Sequence, residues 1–271
     1  MAEARPGFLA VGDARLEYEL HRVSRADGPL IVLLHEGLGC VATWRDVPRG
    51  LAAAAGCDVL AYSRAGYGGS SPCALPRPLR YMHDEALEVL PRVLEILDRR
   101  PLVLLGHSDG ASIAAIHAGA RRDTGVRGLI LVAPHFFTED SGLEAIARAA
   151  RAYRDTDLRA RLAGYHGDNV DCAFHGWSGA WLDPGFRAFD IREYLPRIDV
   201  PVLLIQGEDD EYGTTAQVDA VRDACPAPVS IELLARCGHS PHRDQPVRTL
   251  ALAAAFFRGL GLSSASAAPP P

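Results

Sequence analysis

The string Gly106-His107-Ser108-Asp109-Gly110 sets a serine between two glycines. An apolar run, Leu102 to Leu105, precedes it, and a segment with helical spacing, Ala111 to Ala120, follows. Strand, tight turn and helix are the setting of a nucleophile elbow. The glycines permit a turn that projects the hydroxyl, and the helix opening just after it points backbone N–H groups at developing negative charge. A serine hydroxyl is a poor nucleophile at neutral pH. It needs an imidazole to take its proton during attack and return it to the leaving group, and a carboxylate to fix the imidazole tautomer and stabilise its charged form. Two late motifs supply those types. Gly207-Glu208-Asp209-Asp210 follows the apolar run Val202 to Gln206, with Glu211 next to it; Cys237-Gly238-His239-Ser240 follows Val229 to Leu234, with His242 three residues on. His239 and His242 also have a metal-like His-x-x-His spacing, but no clear third ligand accompanies them, so no metal is expected.

Composition narrows the chemistry further. The chain has 271 residues with 28 Lys+Arg against 34 Asp+Glu, and every one of those cations is arginine. Without lysine there is no Schiff base to a carbonyl or pyridoxal group and no Walker-type phosphate loop. A net charge of -6 argues against a nucleic-acid groove, which needs clustered cations, and favours a small-molecule substrate. At 48% hydrophobic and 23% charged, the sequence has the balance of one large globular domain. The six cysteines (Cys40, Cys57, Cys73, Cys172, Cys225, Cys237) form no Cys-x-x-Cys pair, which fits reduced thiols better than zinc or redox chemistry. Met1 to Val11 lacks the apolar region of a signal peptide, and no stretch approaches the roughly 18 apolar residues of a membrane span. A cytoplasmic protein with no membrane contact is expected.

The elements that must position these motifs show in the pattern. Phe8 to Val11 and Arg15 to Val23 read as a hairpin turning at Gly12-Asp13, at a sheet edge. Leu30 to Leu34, Val59 to Tyr62, Leu102 to Leu105, Gly128 to Val132 and Val202 to Ile205 are nearly continuous apolar runs, as in strands buried on both faces of a parallel sheet; Val229 to Leu234 adds another strand. Met82 to Leu97, Ala111 to Ala120 and Val247 to Leu260 carry helical spacing. Strands alternating with helices give an α/β sandwich. The interval between Ala133 and Val202 is too long for a simple crossover. It holds amphipathic helix signals over Ser141 to Leu162 and then Phe174, His175, Trp177, Trp181, Phe186 and Phe189, which suggests a cap over the strand ends or a small core of its own. The tail of small residues and prolines, 263–271, is expected to be disordered.

With His35-Glu36-Gly37-Leu38-Gly39 after one strand and Ser63-Arg64-Ala65-Gly66-Tyr67-Gly68-Gly69-Ser70 after another, the chain resembles the α/β-hydrolase superfamily over residues 8–260. The resemblance implies a mostly parallel eight-stranded sheet with helices on both faces, a core from 1–136 and 196–262, and a helical cap inserted at 137–195. It implies Ser108 as nucleophile and His239 as base, ahead of His242, because relatives put the histidine just after the glycine. The family spacing of glycine, two residues, then aspartate selects Asp210 as the acid. Asp209 is the near rival, and Asp140 stands where some relatives place theirs.

Two preorganised backbone donors, each worth about 3 kcal/mol, would bind the oxyanion. By resemblance they are the N–H groups of Asp109 and Gly37. The chain departs from its relatives at Glu36, where they usually have glycine. The Ser-Asp-Gly string is similar to that of valacyclovirase-like hydrolases, in which such an acid recognises an α-amino group; alternatively, Asp109 caps the following helix or bonds the adjoining loop. His35, Glu36, Asp109, Trp177 and Trp181 are the expected substrate contacts, with His35 also a candidate for holding its loop. Arg64 is expected to meet an anion or, more simply, surface acids. The function implied is a cofactor-independent serine hydrolase for a small carboxylic ester or thioester. An amide, aminoacyl ester or carbon–carbon bond on the same triad is the alternative, and a non-enzymatic ligand receptor the third. The sequence leaves oligomeric state open.

Overall fold

The apolar runs become strands of one sheet. The computed structural model describes residues 3–23, 28–97, 100–122 and 124–262; the tail at 263–271 lies outside the described residues. Strands β1 (Glu3–Val11) and β2 (Ala14–Arg22) form the expected hairpin, with Gly12 in the left-handed region at φ 59°. β1 reaches further back than Phe8 and takes in Pro6, which an outermost strand tolerates because one edge needs no N–H. Six further strands are β3 (Leu30–Leu34), β4 (Asp58–Tyr62), β5 (Leu102–His107), β6 (Val126–Val132), β7 (Val202–Gly207) and β8 (Val229–Leu234). The order is β1-β2-β4-β3-β5-β6-β7-β8, antiparallel through β1, β2 and β4 and parallel from β4 onward.

Alternate residues of the central strands enter two apolar layers. Val32, Leu104 and Leu131 face one; Ile31, Val103 and Ile130 face the other. Each fully buried side chain of this size contributes about 1.5–3 kcal/mol, which explains why these strands read as unbroken apolar runs. Helices α1 (Val47–Ala55) and α10 (Pro246–Gly259) cover the second layer. The first is covered by α2 (Tyr81–Asp84), α3 (Leu90–Ile96), α4 (Asp109–Ala120) and α8 (Thr215–Ala224).

The single helix expected over 82–97 is interrupted by a wide π turn at Glu85–Val89. Pro91 has no N–H for the carbonyl four residues back, at Leu87. That carbonyl accepts from Arg121 Nη2 instead (2.5 Å), and the Ala86 carbonyl accepts from His117 Nδ1 (2.8 Å), so α4 satisfies what the turn leaves open.

Between β6 and β7 lie α5 (Asp140–Asp155), α6 (Leu158–His166) and α7 (Val170–Trp181). The insertion leaves and rejoins the core at one place: Ile191 N–H donates to the Phe136 carbonyl (2.7 Å) and Thr138 N–H to that of Phe189 (3.1 Å). Its inner end is tied to the loops after β3 and β4. The His166 ring donates through Nε2 to the Leu38 carbonyl (3.1 Å) and accepts at Nδ1 from Gly68 N–H (3.1 Å). Asn169 donates to the carbonyls of Gly68 (3.0 Å) and Ser70 (2.7 Å).

Candidate active site

Ser108 sits between β5 and α4 with φ 52° and ψ −120°, a conformation that costs a non-glycine residue about 1–3 kcal/mol. Its N–H donates to the Val132 carbonyl (2.9 Å), and its own carbonyl accepts from the N–H groups of Ala111 (2.8 Å) and Ser112 (3.1 Å). The flanking glycines answer to space. A Cβ on Gly106 would stand 2.2 Å from the Gly110 carbonyl oxygen, and one on Gly110 would stand 2.0 Å from that of Leu34. Only bare backbone lets the elbow close onto β3 and α4.

Ser108 Oγ lies 2.9 Å from His239 Nε2, and His239 Nδ1 lies 2.9 Å from both carboxylate oxygens of Asp210. With the acid at Nδ1, that nitrogen carries the proton and Nε2 is free to accept from the hydroxyl. Asp210 is held in turn. Its Oδ1 accepts from the N–H groups of Tyr212 (2.8 Å) and Gly213 (3.2 Å), and its Oδ2 from Gln206 Nε2 (2.6 Å). Burial pushes this carboxyl up, but the His239 imidazole beside it and the Tyr212 N–H outweigh that and hold it below the usual carboxylate value. The loops bearing Asp210 and His239 meet through a close approach: a Cβ on Gly207 would stand 2.2 Å from the Cys237 carbonyl oxygen.

The rival residues lie elsewhere. Asp209 is exposed and uses its backbone N–H on the Cys237 carbonyl (2.9 Å). Asp140 is exposed at the start of α5 and pairs with Arg187 (2.6 Å). His242 is buried in α9 (Pro241–Asp244), with ring centroids 5.1 Å from Trp44 and 4.8 Å from His107, and burial lowers its pKa well below the ordinary value.

The loop after β3 is held from below by Arg64, which differs from the surface role its sequence position suggests. Arg64 is only 1% exposed; its guanidinium donates to the carbonyls of His35 (2.5 Å) and Glu36 (3.0 Å). Its backbone N–H donates to His35 Nε2 (3.1 Å), leaving Nδ1 to donate to the Glu36 carbonyl (2.7 Å). His35 is therefore fully buried with both ring nitrogens engaged in its own loop, and is not among the cleft residues; its burial and the Arg64 charge keep it neutral. The expected substrate contact is corrected to a scaffold residue.

Glu36 is at the cleft. Its Oε1 accepts from Arg243 (3.1 Å) and its Oε2 lies 3.4 Å from His107 Nδ1. The other nitrogen of His107 donates to the backbone carbonyl of His239 (2.7 Å). Burial raises the Glu36 carboxyl, but the His107 ring and the Arg243 guanidinium beside it hold it well below its ordinary value.

Asp109 has a buried side chain whose Oδ2 accepts from the Tyr81 hydroxyl (2.5 Å), while Oδ1 has no hydrogen-bond partner among the described residues. Burial raises its pKa, against the Arg64 charge and the Tyr81 and Trp181 donors.

A cleft of about 230 Å³ opens over these groups, lined by Ser108, Asp109, Gly37, Glu36, His135, His239, Tyr212 and Arg243 below and by Ile146, Trp177 and Trp181 from the insertion. The insertion's aromatics thus divide. Phe174 stacks on Tyr153 (3.7 Å) and Phe186 on Phe189 (4.9 Å) within the insertion, whereas Trp177 and Trp181 reach the cleft. Among the described residues, no group of three or more His, Cys, Asp or Glu side chains is arranged to hold a metal ion. Sequence reasoning missed Gln206, Tyr81, His107, His135 and Arg243, which act on the site only through the tertiary fold.

The profile of the Alpha/beta hydrolase family matches residues 31–253. The chain belongs to the alpha/beta hydrolase family. No curated protein matches this alpha/beta hydrolase by sequence. Solved structures with its fold include the 2-hydroxy-6-oxo-6-phenylhexa-2,4-dienoate hydrolase of Rhodococcus sp. strain RHA1, at 16% identity and TM-score 0.79, covering 95% of this chain and 100% of that one. Carboxylesterase CesB of Bacillus subtilis is similar at 21% identity and TM-score 0.71, covering 95% and 92%. Esterase RhEst1 of Rhodococcus sp. ECU1013 is similar at 21% identity and TM-score 0.70, covering 96% and 100%. At these identities the likeness carries the fold. Among the described residues, no helix of this alpha/beta hydrolase is long and apolar enough to cross a membrane.

Proposed function

We propose that this chain is a cofactor-independent serine hydrolase that cleaves a small carboxylic ester or thioester through an acyl-enzyme. The observation that carries the reading is the unbroken chain Ser108 Oγ, His239 Nε2, His239 Nδ1 and Asp210, with 2.9 Å at each junction. Ser108 Oγ attacks the carbonyl carbon as His239 takes its proton; the carbonyl oxygen becomes an oxyanion facing the N–H groups of Asp109 and Gly37. The imidazolium, steadied by Asp210, returns the proton to the leaving alkoxide or thiolate. Water then repeats the sequence and frees Ser108 and a carboxylic acid. Every role falls to a side chain or backbone group of the chain itself, and the size of the cleft suits a small acyl group.

Mixing enzyme with p-nitrophenyl acetate should give a burst of nitrophenolate that Ser108→Ala abolishes; turnover persisting in Ser108→Ala would sink the reading.

Asp109 lines the cleft and its buried Oδ1 has no hydrogen-bond partner among the described residues, which favours a second reading, an aminoacyl ester or amide whose ammonium meets that oxygen. Asp109→Asn should then impair amine-bearing substrates selectively, and equal loss on neutral esters would exclude it.

A further inference from the structure

Trp177 and Trp181 stand four residues apart on α7 and so share one face of that helix. Each is tied to a different oxyanion donor, Trp177 to the backbone of Gly37 and Trp181 to the side chain of Asp109. The Trp177 indole lies on Gly37 so closely that a Cβ there would stand 2.1 Å from its Cδ1 and 2.2 Å from its Nε1. Gly37 does not have a positive φ, so glycine is required there to admit the indole. Trp181 acts through Tyr81. Its Nε1–H donates to the Tyr81 hydroxyl (3.0 Å), which donates onward to Asp109 Oδ2 (2.5 Å). Tyr81 is buried, and burial raises its pKa well above the ordinary value, so it stays a donor.

We propose that α7 completes the oxyanion hole, with Trp177 and the Trp181–Tyr81 pair as positioning residues for its two backbone donors. This rests on the reading of Ser108 as nucleophile and of Gly37 and Asp109 as donors. Donors aid an oxyanion only if already aimed at it, and a loop containing Gly37 and Gly39 has little stiffness of its own, so an indole packed on Gly37 limits its drift. Electrostatics at Asp109 makes a second demand. Asp109 offers an N–H to the oxyanion while its own carboxylate sits nearby. The Tyr81 hydroxyl, fixed by Trp181, donates to that carboxylate and offsets its repulsion. The start of α7 is seated by His166 on Leu38, next to Gly37, and by Asn169 on Gly68 and Ser70 in the loop after β4. Seating of the insertion and acyl transfer are therefore linked through backbone geometry, beyond any contact the tryptophans make with substrate.

Trp181→Phe and Tyr81→Phe remove the hydrogen-bond chain while keeping most of the bulk. The expected result with p-nitrophenyl acetate is a kcat lower by about 10-fold or more, with KM within about 2-fold. Affinity for 1,1,1-trifluorobutan-2-one, whose adduct with Ser108 carries an oxyanion, should fall in step with kcat/KM. Unfolding temperatures, measured alongside, separate misfolding from misaiming, and Trp181→Phe stands as the second variant if Tyr81→Phe fails to fold. Unchanged kcat and unchanged ketone affinity, or a rise in KM alone, would overturn the proposal. Ser108→Ala keeps the two levels apart: if it remains active the underlying reading has failed, whereas wild-type activity that needs Ser108 but not Tyr81 or Trp181 removes only this inference.

Discussion

Arg64 and His35 hold each other twice: the guanidinium donates to the His35 carbonyl (2.5 Å), and the Arg64 N–H donates to the His35 ring (3.1 Å). A cation buried this completely serves as a clamp, and it fixes the loop that carries Gly37.

Arg64→Met should therefore cost both stability and activity. It leaves the His35 carbonyl without its donor, while the Glu36 carbonyl keeps His35 Nδ1 and the Gly39 N–H, so a drop of about 1–3 kcal/mol in urea unfolding is expected. Arg64→Lys should recover only part of it, because one ammonium does not reproduce the planar fork. Wild-type stability in Arg64→Met would refute the clamp.

Glu36 gives a pH-dependent prediction. Its folded carboxyl titrates well below the ordinary 4.5, so the stability it contributes is fully present above pH 4.5 and is lost as pH falls through the folded value. Glu36→Gln lacks that contribution. The difference in urea unfolding between wild type and variant should be largest at pH 6–7 and shrink below about pH 4. A gap that widens toward acid would contradict the pairing with Arg243 and His107.

His135 works through the opposite charge. Burial lowers it to about 3 from 6.5, beside His239 and Asp210. Between those values the unfolded chain binds a proton that the folded chain does not, so stability rises with pH across this window and is lost toward acid. His135→Gln should flatten the slope measured from pH 6.5 to 5 without abolishing it, since His35 and His242 are shifted the same way. An unchanged slope would show that His135 protonates in the folded state.

For the acid, Asp210→Asn should lower kcat by roughly 10⁴-fold, the scale at which such a change disturbs the histidine tautomer in serine proteases. Asp209→Asn should leave it within about 2-fold. Gln206→Leu removes the 2.6 Å bond to Asp210 and should cost roughly 10-fold. Equal effects at Asp209 and Asp210 would contradict the geometry.

The central strands, the elbow and the loops bearing Asp210 and His239 were legible because local demands dictate them: burial on both faces forces apolar runs, and close backbone approach forces the glycines. Helices α1 and α8 were not. α1 is short and contains Pro48 and Gly50, which read as breaks in a helix, and α8 buries Gln217 with Val218 and Val221 under an otherwise polar surface. The π turn was hidden for another reason, since its stability comes from Arg121 and His117 on a distant helix. The same holds in the site. His35 reads as a substrate contact until Arg64, 29 residues on, is seen beneath it, and Tyr81 gains meaning only from Trp181, 100 residues away.

Peptide mapping by mass spectrometry after treatment with a fluorophosphonate tests Ser108 as the nucleophile most directly. One phosphonyl adduct is expected, on Ser108, formed much more slowly in His239→Ala and lost in Ser108→Ala. A folded wild-type protein whose Ser108 stays unmodified, or whose adduct maps to another residue, would contradict that role.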